Sequence, residues 1–178
     1  MKATIAIALV LVLLAGGAYW YMHKAATAKS IAKISSFEEC GALYPVMESY
    51  PPRCATPDGR SFTQDVGNEL SKMDLITIDA PRPTAKISSP LTVTGKARGT
   101  WYFEASFPVE LQDAQGNVIV QTHAEAQSDW MTEDFVPYKL TLTFPTQPAG
   151  SHGKLILRKD NPSGDPAKDD SLVVPVVF

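Results

Sequence analysis

The sequence has no concentration of positive charge. Its 16 lysine and arginine residues are scattered and are outnumbered by 19 aspartates and glutamates, which leaves a net charge of −3. Proteins that bind a phosphate backbone carry clustered lysine and arginine, because each contact neutralises a phosphate. A nucleic acid is therefore not an expected partner.

Motifs for catalysis and for cofactor binding are also lacking. No cysteines have the CxxC spacing, no cysteine and histidine pairs complete a zinc set, and no serine lies in a nucleophile elbow. His123, Asp129 and Asp134 allow an acid–base group to be proposed. Acidic residues in a crossover between strands are more simply explained as facing water, so we expect no enzyme activity and no cofactor.

Cysteines are scarce, and the two that exist, Cys40 and Cys54, lie close together in the proline-rich segment 37–66. This spacing is typical of a loop closed by a disulfide, and the alternatives are a metal pair or a redox pair. We predict the disulfide, because metal and redox pairs usually have the CxxC spacing. A disulfide in turn indicates an oxidising compartment, outside the cytoplasm.

Long hydrophobic runs are absent except at residues 4–22, which read TIAIALVLVLLAGGAYWYM. As a helix this segment would rise roughly 28 Å, close to the ~30 Å hydrocarbon core of a bilayer. We expect residues 1–23 to be a membrane anchor, followed by a stalk at residues 24–36. The alternative is a signal peptide cleaved near Ala26 and Ala28, which would leave a secreted protein.

Helical periodicity is lacking in the second half of the chain. Residues 89–144 instead alternate apolar and polar side chains in short runs between Gly, Pro, Asn and Asp, the period of half-buried strands. We place a linker at residues 67–73 and a domain at 74–178. About seven strands at this spacing predict an all-β fold, an antiparallel sandwich of two sheets.

Several motifs in this half resemble one family. They are SPLTVTGKARG, FPVELQDAQGNVI, DWMTEDFVPY and LRKDNPSGDPAKDDSLVVPVVF, and they occur in order over about residues 75–178. Together they resemble the Gmad2 immunoglobulin-like domain, first described in bacterial spore germination proteins and found in other exported bacterial proteins. The resemblance implies an immunoglobulin-like sandwich outside the cell, with a binding or cell-surface role and without known catalysis.

Aromatic residues are few, but they cluster at two places in the domain. Trp101 and Tyr102 follow shortly after Gly99. Trp130 and Phe135 lie in or beside a predicted crossover, together with the apolar but non-aromatic Met131. Exposed rings of this kind give a partner a large contact area at low entropic cost. We take these five residues as candidates for partner binding, the alternative being that they plug the core.

The loop near the end of the chain is rich in oxygen ligands, at Asp160, Asp165, Asp169 and Asp170. Calcium prefers such ligands, but the spacing is not that of an EF-hand loop. Tight turns use the same residue types. A structural turn is the expected reading, with calcium as the weaker alternative.

Two functions fit these expectations. In the first, the protein is a membrane-anchored, extracytoplasmic module that binds a cell-envelope component or a protein partner. In the second, it is a structural accessory that assembles in an envelope complex and binds no small molecule.

Overall fold

The computed structural model describes residues 16, 17, 19, 20, 22 and 31–178. Most of the predicted anchor at residues 1–23 and about half of the predicted stalk at residues 24–36 lie outside these residues. Within the described part of the chain, no helix is long and apolar enough to span a bilayer. The chain divides into two compact units, Met1–Gln64 and Asp65–Phe178.

The first unit contains a short helix and a small antiparallel sheet. The elements are α1 (Phe37–Gly41), β1 (Val46–Met47), β2 (Arg53–Ala55) and β3 (Ser61–Thr63), and the strand order is β1-β2-β3. A disulfide joins Cys40 of α1 to Cys54 of β2, and both residues are fully buried. The predicted disulfide is thus confirmed. The disulfide stabilises this unit, because so short a segment has too few apolar side chains to form a sufficient hydrophobic core.

The second unit contains seven strands in one antiparallel arrangement, which confirms the all-β prediction. The elements are α2 (Glu69–Lys72), β4 (Ile76–Ala80), β5 (Leu91–Arg98), β6 (Ser106–Asp113), β7 (Val118–Ala126), β8 (Phe135–Leu142), β9 (His152–Arg158) and β10 (Ser171–Val177). The strand order is β10-β9-β6-β7-β8-β5-β4. Two short 3-10 helices lie between strands, at Gly99–Trp101 and Pro166–Lys168.

The seven strands fold into two facing layers. Strands β7 and β8 pair at only two positions, so the sheet turns sharply between them. The rings of Phe144, after β8, and Phe178, after β10, then meet at 6.0 Å, although four places separate β8 from β10 in the strand order. One layer is β10-β9-β6-β7 and the other is β8-β5-β4. This is the predicted immunoglobulin-like sandwich.

The core between the layers follows the alternation of the sequence. Along β8 and β10 every second residue is buried, as expected for strands with one face inward. The rings of Phe107 and Tyr138 meet edge to face in this core, with centroids 5.1 Å apart. No disulfide links the strands of this unit, because both cysteines lie in the first unit.

Residues 67–73, for which a linker is expected, instead cover the outer edge of β10. The Asn68 side chain accepts a hydrogen bond from the Val173 N–H at 2.7 Å and donates one to the Ser171 carbonyl at 2.8 Å. Lys72 forms an ion pair with Asp170 at 2.5 Å. The segment is polar because its side chains bond to a strand edge, and composition alone does not distinguish this from a linker.

An ion pair between a buried carboxylate and a half-exposed guanidinium lies on the outer face of the four-stranded layer. Glu110 is only 8% exposed, and Arg158 donates to both of its carboxylate oxygens at 2.9 and 3.0 Å. Gln112 donates a third hydrogen bond at 2.8 Å. The hydrogen bonds from Arg158 are the main reason that the pKa of Glu110 lies below its ordinary value.

Glu110→Gln is expected to make the stability of the chain less sensitive to acid. A carboxylate whose pKa is lower in the folded state than in the unfolded state stabilises the fold fully at pH values above its ordinary pKa. This stabilisation is lost as the pH falls through the folded-state pKa. The free energy of unfolding of the parent chain should fall more between about pH 6 and about pH 3 than that of the variant. Urea titrations at several pH values measure both slopes. Glu125→Gln makes the same change at an exposed position, and an equally reduced slope there would contradict the assignment to Glu110.

Candidate functional site

Three loops meet at one end of the sandwich. Arg98 at the end of β5 pairs with Phe135 at the start of β8, and Glu125 near the end of β7 pairs with Ser106 at the start of β6. Arg158 at the end of β9 pairs with Ser171 at the start of β10. The loops at residues 99–105, 127–134 and 159–170 therefore share this end, which we call the loop end. In antibody variable domains, loops clustered at one end of the sandwich form the binding surface.

Backbone hydrogen bonds join the three loops to one another. The Gly99 N–H donates to the Asp134 carbonyl at 3.1 Å, and the Asp160 N–H donates to the Trp101 carbonyl at 3.0 Å. A Cβ atom at Gly99 would lie 1.9 Å from the Thr132 carbonyl oxygen, so only glycine allows this close approach. The loops therefore form one fixed surface rather than three independent segments.

Trp101 and Tyr102 do not reach this surface, which corrects their place among the candidate contact residues. Trp101 is 1% exposed and Tyr102 is 4% exposed. The Tyr102 hydroxyl donates to the Val136 carbonyl at 2.8 Å, and burial raises the pKa of Tyr102. The chain turns into the 3-10 helix Gly99–Trp101 at this point. The alternation of a strand therefore does not apply, and neighbouring rings both enter the core.

The other three candidates differ in how far they are exposed. Trp130 is partly buried against the core, whereas Met131 is 76% exposed. Phe135 is partly buried, and the guanidinium of Arg98 lies over its ring, 4.2 Å from the centroid. Met131 is thus the predicted residue that is most available to a partner.

Phe103 is a residue of the loop end that is missing from the predicted candidates. It is 40% exposed, although it follows two buried aromatic residues. The signal in the sequence is the aromatic run from Trp101 to Phe103, because adjacent residues of a strand point to opposite faces and at least one ring would then face water, unless the run is a loop. Alternation along a strand favoured Tyr102 as that ring, and the 3-10 helix moves the exposed position to Phe103.

The loop end is acidic, even when Arg98 at its border and Lys72, which pairs with Asp170, are counted with it. Its three loops carry eight acidic side chains and two basic ones, although the whole chain has a net charge of only −3. The acidic residues are Glu104, Asp129, Glu133, Asp134, Asp160, Asp165, Asp169 and Asp170, and the basic ones are Lys159 and Lys168. This excess gives the loop end a negative potential that attracts positive charge.

The predicted calcium ligands mainly stabilise their own loop. Asn161 donates to the Asp165 carbonyl at 2.8 Å and to the Asp169 carboxylate at 2.7 Å. Asp165 also caps the 3-10 helix by accepting from the Ala167 N–H, and Asp170 pairs with Lys72. Among the described residues, no three carboxylate, histidine or cysteine side chains converge as a metal site requires. These contacts support the structural turn.

The residues of the hypothetical acid–base group have structural positions. His123 lies within β7, paired with Pro108 of β6. Asp129 lies in the following loop, where its carboxylate accepts the Met131 N–H at 3.0 Å. Asp134 lies at the end of that loop, and its carbonyl accepts the Gly99 N–H. Each position has an explanation in the fold without catalysis.

One comparison with known proteins gave a match. The model of the family Gmad2, described as the immunoglobulin-like domain of bacterial spore germination, matches residues 75–165. The matched region runs from the residue before β4 to the loop before β10, and it covers just over half of the chain. No curated protein and no solved structure matches the chain.

Proposed function

We propose, from the premise that this chain belongs to the Gmad2 family of immunoglobulin-like domains, that its sandwich is a non-catalytic module that binds a cell-envelope or protein partner. The partner would contact the loop end. The observation that carries this proposal is the bonding of the three loops into one surface through Gly99, Trp101 and their backbone partners. A surface that is fixed before binding loses less entropy when the partner arrives.

The charge of the loop end points to a basic partner. Eight acidic side chains against two basic ones favour a protein segment or envelope polymer that carries positive groups. Met131 adds an exposed apolar contact, and a methionine side chain adapts to irregular surfaces. We therefore infer a partner that combines positive charge with an apolar group, and binding that weakens as salt is added.

The cellular address is part of the same proposal. A membrane anchor at residues 4–22 is supported by their uncharged, apolar sequence, and an extracytoplasmic domain is supported by the disulfide between Cys40 and Cys54. Secretion after cleavage is the alternative. Sequencing the N-terminus of the mature protein tests both, because a start beyond residue 23 would contradict a retained anchor.

Met131→Ser is expected to reduce partner binding by roughly tenfold, the effect of losing a central contact residue. The experiment cross-links the tagged full chain in cells and quantifies the captured envelope components by mass spectrometry. Met47→Ser is the matched control, because Met47 is another exposed methionine but lies on β1 of the first unit. The proposal requires that the control captures the same components as the parent chain.

A second variant keeps this test decisive. Phe103→Ser removes the other exposed apolar side chain of the loop end. If both variants capture every component as efficiently as the parent chain, the loop end is not the binding surface. A structural role within an envelope assembly is the second candidate function. It is favoured by the edge of β7 that faces β8, because β8 pairs with that edge only at Glu125 and Ala126.

A further inference from the structure

A cavity lies at the end of the sandwich opposite the loop end. Leu142 at the end of β8 pairs with Leu91 at the start of β5, so the chain leaves one strand and enters the other at this end. Residues of the segments 86–89 and 144–149, together with Phe178, enclose a cavity of about 270 Å³ there. These segments are separate from the three loops of the loop end. The cavity is therefore an independent candidate for a binding site.

The floor of the cavity is apolar and lies where the two layers of the sandwich meet. Phe144 and Phe178 line the cavity although they are only 7% and 6% exposed, so they close its inner side. Their rings meet edge to face, with the centroids 6.0 Å apart. Ligand pockets commonly have such an aromatic lining with a few polar groups beside it. This floor can hold the apolar face of a small molecule.

Polar side chains surround the mouth of the cavity. The Ser89 hydroxyl accepts the Phe144 N–H at 3.0 Å, so its own proton can still be donated to a ligand. The Gln147 amide donates to a backbone carbonyl of its own loop at 2.9 Å, so its side-chain carbonyl can still accept. Ser88 and Thr146 add two further hydroxyl groups to the lining. The mouth thus offers both donors and acceptors, as hydroxyl and amide groups of a ligand require.

The charge of the cavity selects for an anion. Of the described residues that line the cavity, Lys86 alone is charged. It is exposed, and the ion pairs formed among the described residues do not include it. A carboxylate on the ligand would pair with this lysine, whereas an ammonium group would meet no acidic side chain in the lining. The cavity therefore favours an anion over a cation or a free amino acid.

Backbone hydrogen bonds hold both walls of the cavity to the last strand. The Ile87 N–H of one wall donates to the Val177 carbonyl at 2.7 Å. Beside the other wall, the Gly150 N–H donates to the Phe178 carbonyl at 2.7 Å, and the Phe178 N–H donates to the Ser151 carbonyl at 2.9 Å. The walls are thus fixed before a ligand arrives, which lowers the entropic cost of binding.

We propose that this cavity binds a single carboxylated sugar residue. Pockets for drug-sized ligands begin at about 300 Å³, so a slightly smaller cavity suits one sugar ring. The carboxylate pairs with Lys86, the hydroxyl and amide groups bond at the mouth, and the apolar face of the ring packs on Phe144 and Phe178. N-acetylmuramic acid of bacterial peptidoglycan and the uronic acids of other envelope polymers carry these groups. This site is additional to the partner surface proposed at the loop end.

Saturation-transfer NMR on the full chain tests this proposal with N-acetylmuramic acid and glucuronic acid. Each is compared with its neutral counterpart, which is N-acetylglucosamine for the first and glucose for the second. At least one acidic sugar should bind saturably and at least roughly threefold more tightly than its counterpart, because only the acidic sugar can pair with Lys86. The acidic sugar that binds more tightly identifies the source polymer. The proposal is overturned if neither acidic sugar binds, or if the neutral counterparts bind equally well.

Two variants place the binding in this cavity. Lys86→Gln should abolish the preference for the acidic sugar, whereas Lys139→Gln, at an exposed position of β8 outside the lining, should keep it. Ala149→Phe, at an exposed position of the lining, fills the cavity and should weaken binding at least roughly tenfold. A folded Lys86→Gln chain that retains the preference, or a folded Ala149→Phe chain that binds like the parent, would overturn the proposal. Neither result bears on capture of a partner at the loop end.

Discussion

Trp101→Ala is expected to lower the free energy of unfolding of the second unit by about 4 kcal/mol, the usual effect of truncating a fully buried tryptophan. Trp101 is 1% exposed and belongs to the main core. Its backbone carbonyl also accepts the Asp160 N–H, so the side chain fixes the point where two loops of the loop end are joined. Urea denaturation followed by circular dichroism measures the change.

Phe103→Ala is the matched control for this prediction. Phe103 lies two residues further along the same loop but is 40% exposed, so its truncation should cost less than about 1 kcal/mol. Equal losses in the two variants would show that Trp101 is not a core residue. The same pair separates stability from binding, because Phe103→Ala should weaken capture of a partner while the fold stays intact.

The strands of the second unit could be predicted because their apolar residues repeat with a period of two. Leu140, Leu142 and Phe144 are all buried, as are Leu172, Val174, Val176 and Phe178, and these sets form two of the seven predicted strands. Local alternation encodes which side chains face inward. It therefore encodes the layers of the sandwich without any knowledge of which strands are neighbours.

The loop end could be predicted only in part. Alternation along a strand places either Trp101 or Tyr102 outward unless the run is a loop. The structure has this exception, since the 3-10 helix at Gly99–Trp101 turns both rings inward and leaves Phe103 exposed. The local sequence does not show whether the strand continues past Arg98 or ends in a 3-10 helix, because Gly99 can adopt the backbone conformation of either. The decisive contact is the close approach of the loop at residues 127–134, which lies some thirty residues away.

That residues 67–73 cover the edge of β10 could not be predicted either, because this role also depends on a contact between residues far apart in the sequence. Asn68 bonds to Val173 across a separation of 105 residues, and no local pattern records a contact of that range. A polar segment between two patterned regions has the composition of a linker, yet its amide side chain replaces a neighbouring strand at the edge of β10. A linker predicted from composition is thus least reliable where polar side chains bond to a strand edge. A segment of this kind has the same polar composition as a linker whose side chains are in water.

Gly67→Ala tests this role and is expected to lower the free energy of unfolding by about 3 kcal/mol or more, since strain and overlap act together. Gly67 has a φ of +61°, and a Cβ atom there would lie 1.9 Å from the Val173 carbonyl oxygen. Gly164 is the matched control, because its φ of +66° is nearly the same but no atom lies within 4 Å of its Cβ position. Gly164→Ala should cost only about 1 kcal/mol, the strain of a left-handed residue. Chemical denaturation of both variants measures the difference, and equal losses would mean that strain alone acts and that residues 67–73 do not pack tightly on β10.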